Sequence, residues 1–361
     1  MEQEERDAGA LPLTGLKVLD LTRVLAGPFC TLILADLGAT VVKVEPLPEG
    51  DITRKWGPPV RGQGTYFLSI NRNKRSLGLH FRHPRALEVL RRAQWADVLL
   101  ENFRPGVMEE IGLGQEALGA LNPRLVYASI SAYGSTGPYR DWPGFDQIAQ
   151  GMSGLMSVTG FPATGPVRVG VAIGDMVAGL YCAIGLLASL LRREWGGRPP
   201  QVEVSLLEAL MGLLGFQAQR WLSAGEVPGL DGNDHPLIAP YGLFEAGDGY
   251  INLAVGTEEQ WQRFCRLLGL ERLLSDPRFR DNPSRVKHRE ELKEEVNRVL
   301  RRRPRGEWVD LLNKEGVPCA PQYTIPEAFA DPHIQHRKMV QTVEHPLLGD
   351  LPQVRSPLVL C

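Results

Sequence analysis

Short apolar runs alternate with longer amphipathic segments along the first half of the chain. Runs with the length and composition of buried strands occupy residues 16–21, 39–45, 96–101 and 125–131. Helical segments separate them, and the first, at 30–37, is followed by Gly38, a residue common at helix C-termini. Strands that alternate with helices predict a Rossmann-like α/β fold with a doubly wound parallel sheet. Such sheets bind ligands beyond the carboxyl ends of their strands.

The pattern changes after Gly196. A polar strand at 200–205 leads into an apolar helix at 206–222. A Gly/Pro/Asp-rich stretch then precedes alternating residues at 241–255, which predict a hairpin. We expect three parts: a large domain over residues 10–200 completed by 330–361, a helical linker at 201–224, and a small α/β domain at 225–325.

Composition and charge exclude several classes of protein. The 361 residues carry a formal net charge of −2 with a pI near 6.4, so no nucleic-acid partner is indicated. The five cysteines lack CxxC spacing and the seven histidines lack metal-ligand spacing, so we expect no disulfide framework and no metal site.

The chain starts with acidic and polar residues, unlike a secretory or mitochondrial leader. The apolar segment at 176–191 is shorter than the ~20 residues that span a bilayer. We expect a cytoplasmic protein with no membrane partner.

Polar residues follow two of the predicted strands, and a basic segment lies earlier in the chain. The segment "ENFRPG" lies at 101–106, "AYGSTGP" at 132–138 and the basic "NRNKRS" at 71–76. Each alone is typical of a turn with solvated charges. Together they indicate a rim of amides, glycines and cations at the ligand-binding edge, suited to a phosphorylated ligand. A nicotinamide enzyme remains an alternative, although "TRVLAGP" has one glycine followed by proline instead of GxGxxG.

One carboxylate, Asp175, lies in the small and aliphatic run at 167–194. Burying an unpaired carboxylate is costly, so Asp175 is a helix cap, has a partner or does chemistry. An N-cap aspartate contributes about 1 kcal/mol, and the positive end of a helix dipole favours an ionised carboxylate there. The small residues around Asp175 are expected to leave room for a substrate.

Several sequence blocks, in order from Gly15 to about Pro357, resemble the class III CoA-transferases. This family includes formyl-CoA transferase, carnitine CoA-transferase and α-methylacyl-CoA racemase. The blocks are "GLKVLDLTRVLAGPF", "GATVVKVEP", "NRNKRS", "ENFRPG", "SISAYGSTGP" and "GVAIGDMVAGLY". Within the family, "TRVLAGPF", "PVRVGVA" and "EGVPCAP" are most similar to the succinate–hydroxymethylglutarate (glutarate) CoA-transferases.

The resemblance implies an interlocked homodimer in which the large domain binds CoA. It also implies that Asp175 is the nucleophile, passing through an aspartyl anhydride and an aspartyl-CoA thioester. The CoA thioester is then a substrate, and no bound cofactor is implied. Arg82 and Arg104 are suited to phosphates and Phe103 to the adenine. The CoA contacts that it implies are Val24, Leu79, His80, Phe81, Arg82, Asn102, Phe103, Arg104, Pro143, Gly144, Phe145 and Asp146.

The chain departs from the family pattern at two informative positions. Leu25 replaces a glutamine of the formyl-CoA transferases, which argues against formate or oxalate specificity. Phe145 replaces a histidine of the racemases, and phenylalanine cannot move a proton. We expect CoA transfer from an acyl-CoA, succinyl-CoA above others, to a free dicarboxylic acid whose distal carboxylate is held by Arg168 and, less directly, by His235. The alternatives are an α-methylacyl-CoA racemase and a non-catalytic CoA-binding homologue.

Overall fold

The structure, a computed structural model, describes residues 11–80, 83–91 and 95–360. These residues form two compact units. The first unit comprises the described residues of Met1–Ser157, Arg168–Pro228 and Met339–Cys361, and the second comprises Val158–Val167 and Gly229–Lys338.

The elements are numbered in chain order. The strands are β1 (Lys17–Asp20), β2 (Thr40–Pro46), β3 (Pro59–Val60), β4 (Gln63–Gly64), β5 (Lys74–Leu79), β6 (Val98–Glu101), β7 (Val126–Ser131), β8 (Gly160–Phe161), β9 (Gly165–Pro166), β10 (Val202–Ser205), β11 (Tyr241–Ala246), β12 (Gly249–Ala254), β13 (Cys319–Pro321), β14 (Val340–His345) and β15 (Gly349–Val354). The α-helices are α1 (Ala26–Asp36), α2 (Thr65–Ile70), α3 (Pro84–Arg91), α4 (Val107–Glu110), α5 (Gln115–Leu121), α6 (Asp146–Met152), α7 (Ile173–Glu194), α8 (Leu206–Leu213), α9 (Phe216–Ala224), α10 (Glu258–Leu268), α11 (Asn282–Lys287), α12 (Arg289–Leu300), α13 (Arg305–Lys314), α14 (Ile325–Ala330) and α15 (Pro332–His336). Short 3₁₀ helices lie at Ile52–Lys55, Leu155–Val158 and Glu271–Ser275.

The first unit is built on a six-stranded sheet in the order β10-β7-β6-β1-β2-β5. All of its strand pairs are parallel. Successive residues of a strand point to opposite faces, so Val18 packs in the core on one side and Leu19 in the core on the other. Helices on both faces cover these apolar residues. The predicted α/β fold with a doubly wound parallel sheet is confirmed.

Helix α7 lies in the core on one side of this sheet. Its residues Val177, Ala178, Cys182 and Leu186 are buried against α1, α8 and the strands. The helix has 22 residues, more than the apolar segment counted in the sequence. By length and composition alone it is long and apolar enough to cross a membrane.

The segment 201–224, expected as a helical linker, belongs to the first unit. Its strand β10 pairs with β7 and its helix α8 contributes Leu206 and Leu210 to the core. The sequence predicts one helix at 206–222, whereas the structure has two, α8 and α9. They are separated at Gly215, whose φ of 53° and ψ of −124° are not helical.

The second unit has its own antiparallel sheet, in the order β11-β12-β13, and its own core. The hairpin predicted at 241–255 is formed by β11 and β12. Helix α10 packs Trp261 and Phe264 into this core, and the hydroxyl of Thr257 caps the helix by accepting a hydrogen bond from Gln260 N.

The hairpin β14–β15 returns the end of the chain to the first unit. Leu348 and Leu351 form a small buried cluster with Leu68 of α2. Arg61 Nη1 donates to Leu348 O at 2.8 Å, and Gln353 Nε2 donates to Leu68 O at 3.1 Å. Residues nearly 290 positions apart in the sequence therefore complete one unit.

Candidate active site

Asp175 lies in the first turn of α7, three residues after Ala172, which precedes the helix. The sequence leaves an N-cap role open for Asp175, but the structure assigns that position to Ala172, whose side chain makes no capping hydrogen bond. Among the described residues, no side chain forms a hydrogen bond or an ion pair with the Asp175 carboxylate. The half-buried carboxylate is therefore available to a ligand.

Burial, and after it the negative charge of Asp146, raise the pKa of Asp175 to about 7. The carboxyl group thus titrates near neutral pH, in contrast to the expectation that the helix N-terminus keeps it ionised throughout. When ionised, such a group is more basic than an ordinary aspartate, because the protein stabilises its charge less well than water does.

Asp146, the first residue of α6, supplies the hydrogen-bond acceptor for the start of α7. Its Oδ1 accepts a hydrogen bond of 2.7 Å from Gly174 N, and its Oδ2 accepts one of 2.7 Å from Gln150 Nε2. The resemblance places Asp146 among the CoA contacts. In the structure both oxygens of this buried carboxylate bind protein donors beside Asp175.

The glycines around Asp175 allow close packing. A Cβ atom on Gly174 would lie 3.0 Å from Asp146 Oδ1 and 3.0 Å from Leu210 Cδ1. A Cβ atom on Gly179 would lie 2.6 Å from the carbonyl oxygen of Ala26 in α1. Gly174 and Gly179 therefore let α1, α6 and α8 approach α7, while the room for a substrate beside Asp175 stays a prediction.

Tyr66 on α2 is a further member of the site that the sequence analysis missed. Burial, and then the negative charges of Asp175, Asp146 and Asp51, raise the pKa of its phenol to about 12. The phenol stays neutral at physiological pH, with an O–H group that can donate to an anion. A lone tyrosine in "GTYF" has no spacing that links it to Asp175, so the sequence offers no pattern to find it.

Two of the expected CoA segments meet at the centre of the parallel sheet. The chain winds outwards from β1 to β2 on one side and from β6 to β7 on the other, so the ends of β1 and β6 form a topological switch point. There Asn102 Oδ1 accepts from Arg23 N at 3.0 Å, and Asn102 Nδ2 donates to Arg23 O at 2.8 Å. The next residue, Val24, has a φ of 69°, unusual for a β-branched residue, and its N–H donates to Asp51 Oδ2 at 3.3 Å.

Phe103 and Arg104 line a cleft of about 290 Å³ at the carboxyl ends of β6 and β7. The guanidinium of Arg23 lies 5.6 Å from the centre of the Phe103 ring. At the base of the loop, Glu101 Oε2 accepts from Phe103 N at 2.8 Å, and burial raises the pKa of Glu101 to about 7. The loop expected to bind CoA is thus held by a buried carboxyl group.

The remaining expected CoA contacts lie at the edges of this region. Leu79 ends β5 and is half-buried, and His80 follows it exposed to solvent. Phe81 and Arg82 lie outside the described residues. The segment 143–145 precedes α6 and is largely exposed. The roles of all these residues stay predictions.

Arg168 and His235 belong to different units. Arg168 is exposed in the loop before α7, and its Nη2 donates weakly to Gly170 O at 3.5 Å. His235 Nδ1 accepts from Leu237 N at 3.1 Å, and its ring packs on Tyr241 at 5.0 Å between centroids. Burial, followed by the charge of Arg289, lowers the pKa of His235, which favours the neutral ring; its role toward a substrate stays a prediction.

No group of three or more His, Cys, Asp or Glu side chains within residues 11–80, 83–91 and 95–360 is arranged to hold a metal ion. The chemistry that the described side chains support is that of Asp175: attack by a carboxylate of raised pKa, beside a neutral phenol and a second, fully bonded carboxylate.

Comparison with known proteins shows what the chain is similar to. Residues 13–360 match the model of CoA-transferase family III. The chain is 40% identical to an acetyl-CoA:oxalate CoA-transferase of Acetobacter aceti, over 91% of this chain and 85% of that protein. It is 37% identical to a succinate–glutarate CoA-transferase of Agrobacterium fabrum, over 97% and 89%. A crystal structure of a CaiB/BaiF family protein from Brucella suis is similar with a TM-score of 0.87 at 39% identity, covering 97% of this chain and 93% of that one.

Proposed function

Because this chain belongs to CoA-transferase family III and is therefore a CoA-transferase, we propose that it moves CoA from succinyl-CoA to a free dicarboxylic acid, with Asp175 as the nucleophile. One observation carries the proposal. The half-buried Asp175 carboxylate has a pKa of about 7 and no hydrogen-bond partner among the described residues, while the neighbouring Gly174 N–H donates to Asp146 Oδ1.

The proposed reaction has four displacements. The Asp175 carboxylate attacks the thioester carbonyl of the acyl-CoA, giving a mixed anhydride and free CoA thiolate. The thiolate attacks the aspartyl carbonyl, which releases the donor acid and forms an aspartyl-CoA thioester. The acceptor carboxylate attacks that thioester and expels the thiolate again. The thiolate then attacks the acceptor's carbonyl in the second anhydride, releasing the new acyl-CoA and the Asp175 carboxylate.

Charge supports a dicarboxylic acceptor. An acid with one carboxylate at Asp175 carries a second negative charge several ångströms away, and a cation is needed to offset the repulsion. Arg168, seven residues before Asp175, offers a bidentate guanidinium. The two transferases named above act on glutarate and on oxalate, both dicarboxylates. Leu25 argues against oxalate as the acceptor. The panel of acids below therefore includes oxalate, so that this expectation is tested.

The test of the function is direct product analysis. We expect the protein, incubated with succinyl-CoA and a panel of glutarate, oxalate, mesaconate and butyrate, to form new acyl-CoA products detected by mass spectrometry. Asp175→Asn should abolish turnover while CoA binding persists, and hydroxylamine added during wild-type turnover should leave a hydroxamate on the Asp175 peptide. Asp350→Asn, an exposed aspartate of the same unit, is the matched control. Full activity in Asp175→Asn would exclude this mechanism, and no transfer with any acid would favour a non-catalytic CoA-binding protein.

The role of Arg168 is tested by comparing acid classes. Arg168→Met should reduce kcat/KM for glutarate by roughly 30- to 150-fold, the effect of losing a charge-assisted pair, and change butyrate little. Arg198→Met removes another exposed arginine of the first unit and should change neither. Equal losses for both acids would show that Arg168 does not bind the distal carboxylate.

We also propose that the protein is a homodimer. An exposed apolar row, Leu180, Ile184, Leu187 and Leu191, runs along one face of α7 at helical spacing. Exposed apolar patches of this kind are uncommon on monomers and typical of protein interfaces.

A further inference from the structure

Gln150 is a polar side chain with no exposed surface, on α6 beside the candidate active site. Its Nε2 donates to Asp146 Oδ2 at 2.7 Å, and its Oε1 accepts from Val169 N at 2.9 Å. The other oxygen of Asp146 accepts from Gly174 N. One amide and one carboxylate therefore connect the two ends of the loop from Val169 to Gly174.

The partners leave Gln150 only one orientation. Val169 N can only donate, so it must face the amide oxygen. The Asp146 carboxylate can only accept when ionised, so it must face the NH₂ group. Reversing the amide would oppose two donors at one end and two acceptors at the other. A glutamine at this position is thus specified at both ends of its side chain.

The loop that Gln150 holds is flanked by the two residues that the proposed function uses: Arg168 for the distal carboxylate and Asp175 as the nucleophile. Arg168 immediately precedes Val169, and Asp175 immediately follows Gly174. If the two anchors moved independently, the guanidinium and the nucleophile would lose their relative positions. Misplacement of reacting groups by about 1 Å can cost on the order of 100-fold in rate.

We propose that Gln150 is a positioning residue for CoA transfer, holding the Arg168 loop in register with Asp175 through Asp146. The proposal rests on the proposed function and adds a residue to it. Gln150 touches neither substrate; it acts through Asp146 and the backbone of Val169.

The first test is Gln150→Leu, which keeps most of the side-chain volume and removes both hydrogen bonds. We expect kcat/KM for glutarate to fall by about 10- to 100-fold, because both the nucleophile and its acceptor loop lose their anchor. Hydroxylamine trapping with succinyl-CoA alone, which needs no acceptor acid, should fall less than overall turnover. Gln322→Leu, which removes a glutamine hydrogen bond to Tyr323 O in the second unit, is the matched control and should leave kcat/KM unchanged.

The second test uses Gln150→Glu and a pH profile. When protonated, the introduced carboxyl group reproduces both hydrogen bonds, donating to Asp146 and accepting from Val169 N. When ionised, it repels Asp146. The titratable groups that interact with Asp146 from the neighbouring elements are Asp175 on α7 and Tyr66 on α2, while Glu208 on α8 is bonded to Ser205. Since Tyr66 stays neutral and wild-type Gln150 has no charge, a new loss of activity on the alkaline side must come from position 150.

We therefore expect Gln150→Glu to share the wild-type loss of activity at acid pH, where Asp175 is protonated, and then to lose activity again as the pH rises, over a range where the wild type loses none. This alkaline loss, at unchanged thermal stability, supports a positioning role that a merely structural glutamine would not show. Wild-type kcat/KM in Gln150→Leu, or a Gln150→Glu profile that parallels the wild type, would overturn the proposal. Activity in Asp175→Asn would instead overturn the proposed function, so the two failures are distinguishable.

Discussion

Asp146 and Asp175 divide between them two tasks that a single aspartate at a helix start often combines. Asp146 satisfies the amide of Gly174 and is fully bonded to protein donors. Asp175, the residue after Gly174, forms no hydrogen bond with the described side chains. The negative charge of Asp146 acts on it. The arrangement satisfies the first turn of α7 and at the same time raises the pKa of the proposed nucleophile.

The acid side of the pH profile tests this arrangement. Asp175 must be ionised to attack, and its pKa is about 7. We expect kcat/KM to be constant above that pH and to fall about tenfold per pH unit below it. Asp146→Asn removes the second cause of the raised pKa, so this limb should move to lower pH. A limb that stays in place in Asp146→Asn would show that the charge of Asp146 does not set the basicity of Asp175.

Sequence motifs identify functional residues that lie in a recognisable pattern with their neighbours in the sequence. Val24, Asn102 and Asp175 fall within such motifs, and the structure joins the first two through Arg23. Tyr66 and Gln150 reach the site from α2 and α6 only through tertiary packing. Neither has a spacing pattern that the sequence alone could supply. That Ala172, and not Asp175, precedes α7 depends on where helical backbone angles begin, which one aspartate among small residues does not determine.

At the level of elements, the position of Asp175 depends on how closely α1 and α7 pack. Gly179 allows α7 to lie against the backbone of α1 at Ala26, and Phe29 and Cys30 border the same contact. The apolar residues of both helices belong to one core on one face of the sheet. Asp175 therefore lies in the first turn of a helix that is packed along its buried face.

Gly179→Ala should destabilise the protein. The added Cβ would lie 2.6 Å from a backbone oxygen, so the helices must separate, at a cost of about 1–3 kcal/mol in the free energy of unfolding. Gly119→Ala in α5 meets no atom within 4 Å and should be neutral or stabilising by about 0.5–1 kcal/mol. Denaturant midpoints compare the two variants. Equal midpoints would mean that the α1–α7 contact is not tight at Gly179.

Most elements of the first unit could be predicted from periodicity because buried parallel strands are short apolar runs. The four predicted strands at 16–21, 39–45, 96–101 and 125–131 correspond to β1, β2, β6 and β7. The break between α8 and α9 could not be predicted, since the apolar pattern continues across Gly215. The break lies at Gly215, whose φ of 53° precedes the second helix and leaves no mark in the apolar pattern.

At the level of the whole molecule, the apolar row on α7 is an exposed surface of a kind that isolated globular proteins rarely carry. Ile184 is 62% exposed, in the middle of a helix whose other face is core. Exposure of this kind is explained if a second copy of the chain covers the row, as the resemblance to the family implies.

Ile184→Asp should convert the proposed dimer into a monomer or weaken it at least tenfold. A charge buried at an interface without a partner opposes association. Sedimentation velocity at several concentrations measures the change. Ile325→Asp, at an isoleucine of the second unit that is 75% exposed, is the control and should leave the assembly unchanged. A wild-type protein that sediments as a monomer would contradict the proposal outright.

The return of β14 and β15 to the first unit has a consequence for the order in which the protein can fold during synthesis. The second unit, apart from its short segment Val158–Val167, is continuous and is complete once Lys338 has left the ribosome. In the first unit, Leu68 packs against Leu348 and Leu351, 280 and 283 residues further along the chain, so this cluster forms only after the second unit has been made. Contacts so distant in sequence are slow to form, because a long loop must close before they are made. We therefore infer that the second unit matures before the first, and that the α2 surface, which carries Tyr66, stays exposed until residues 348–351 have been made.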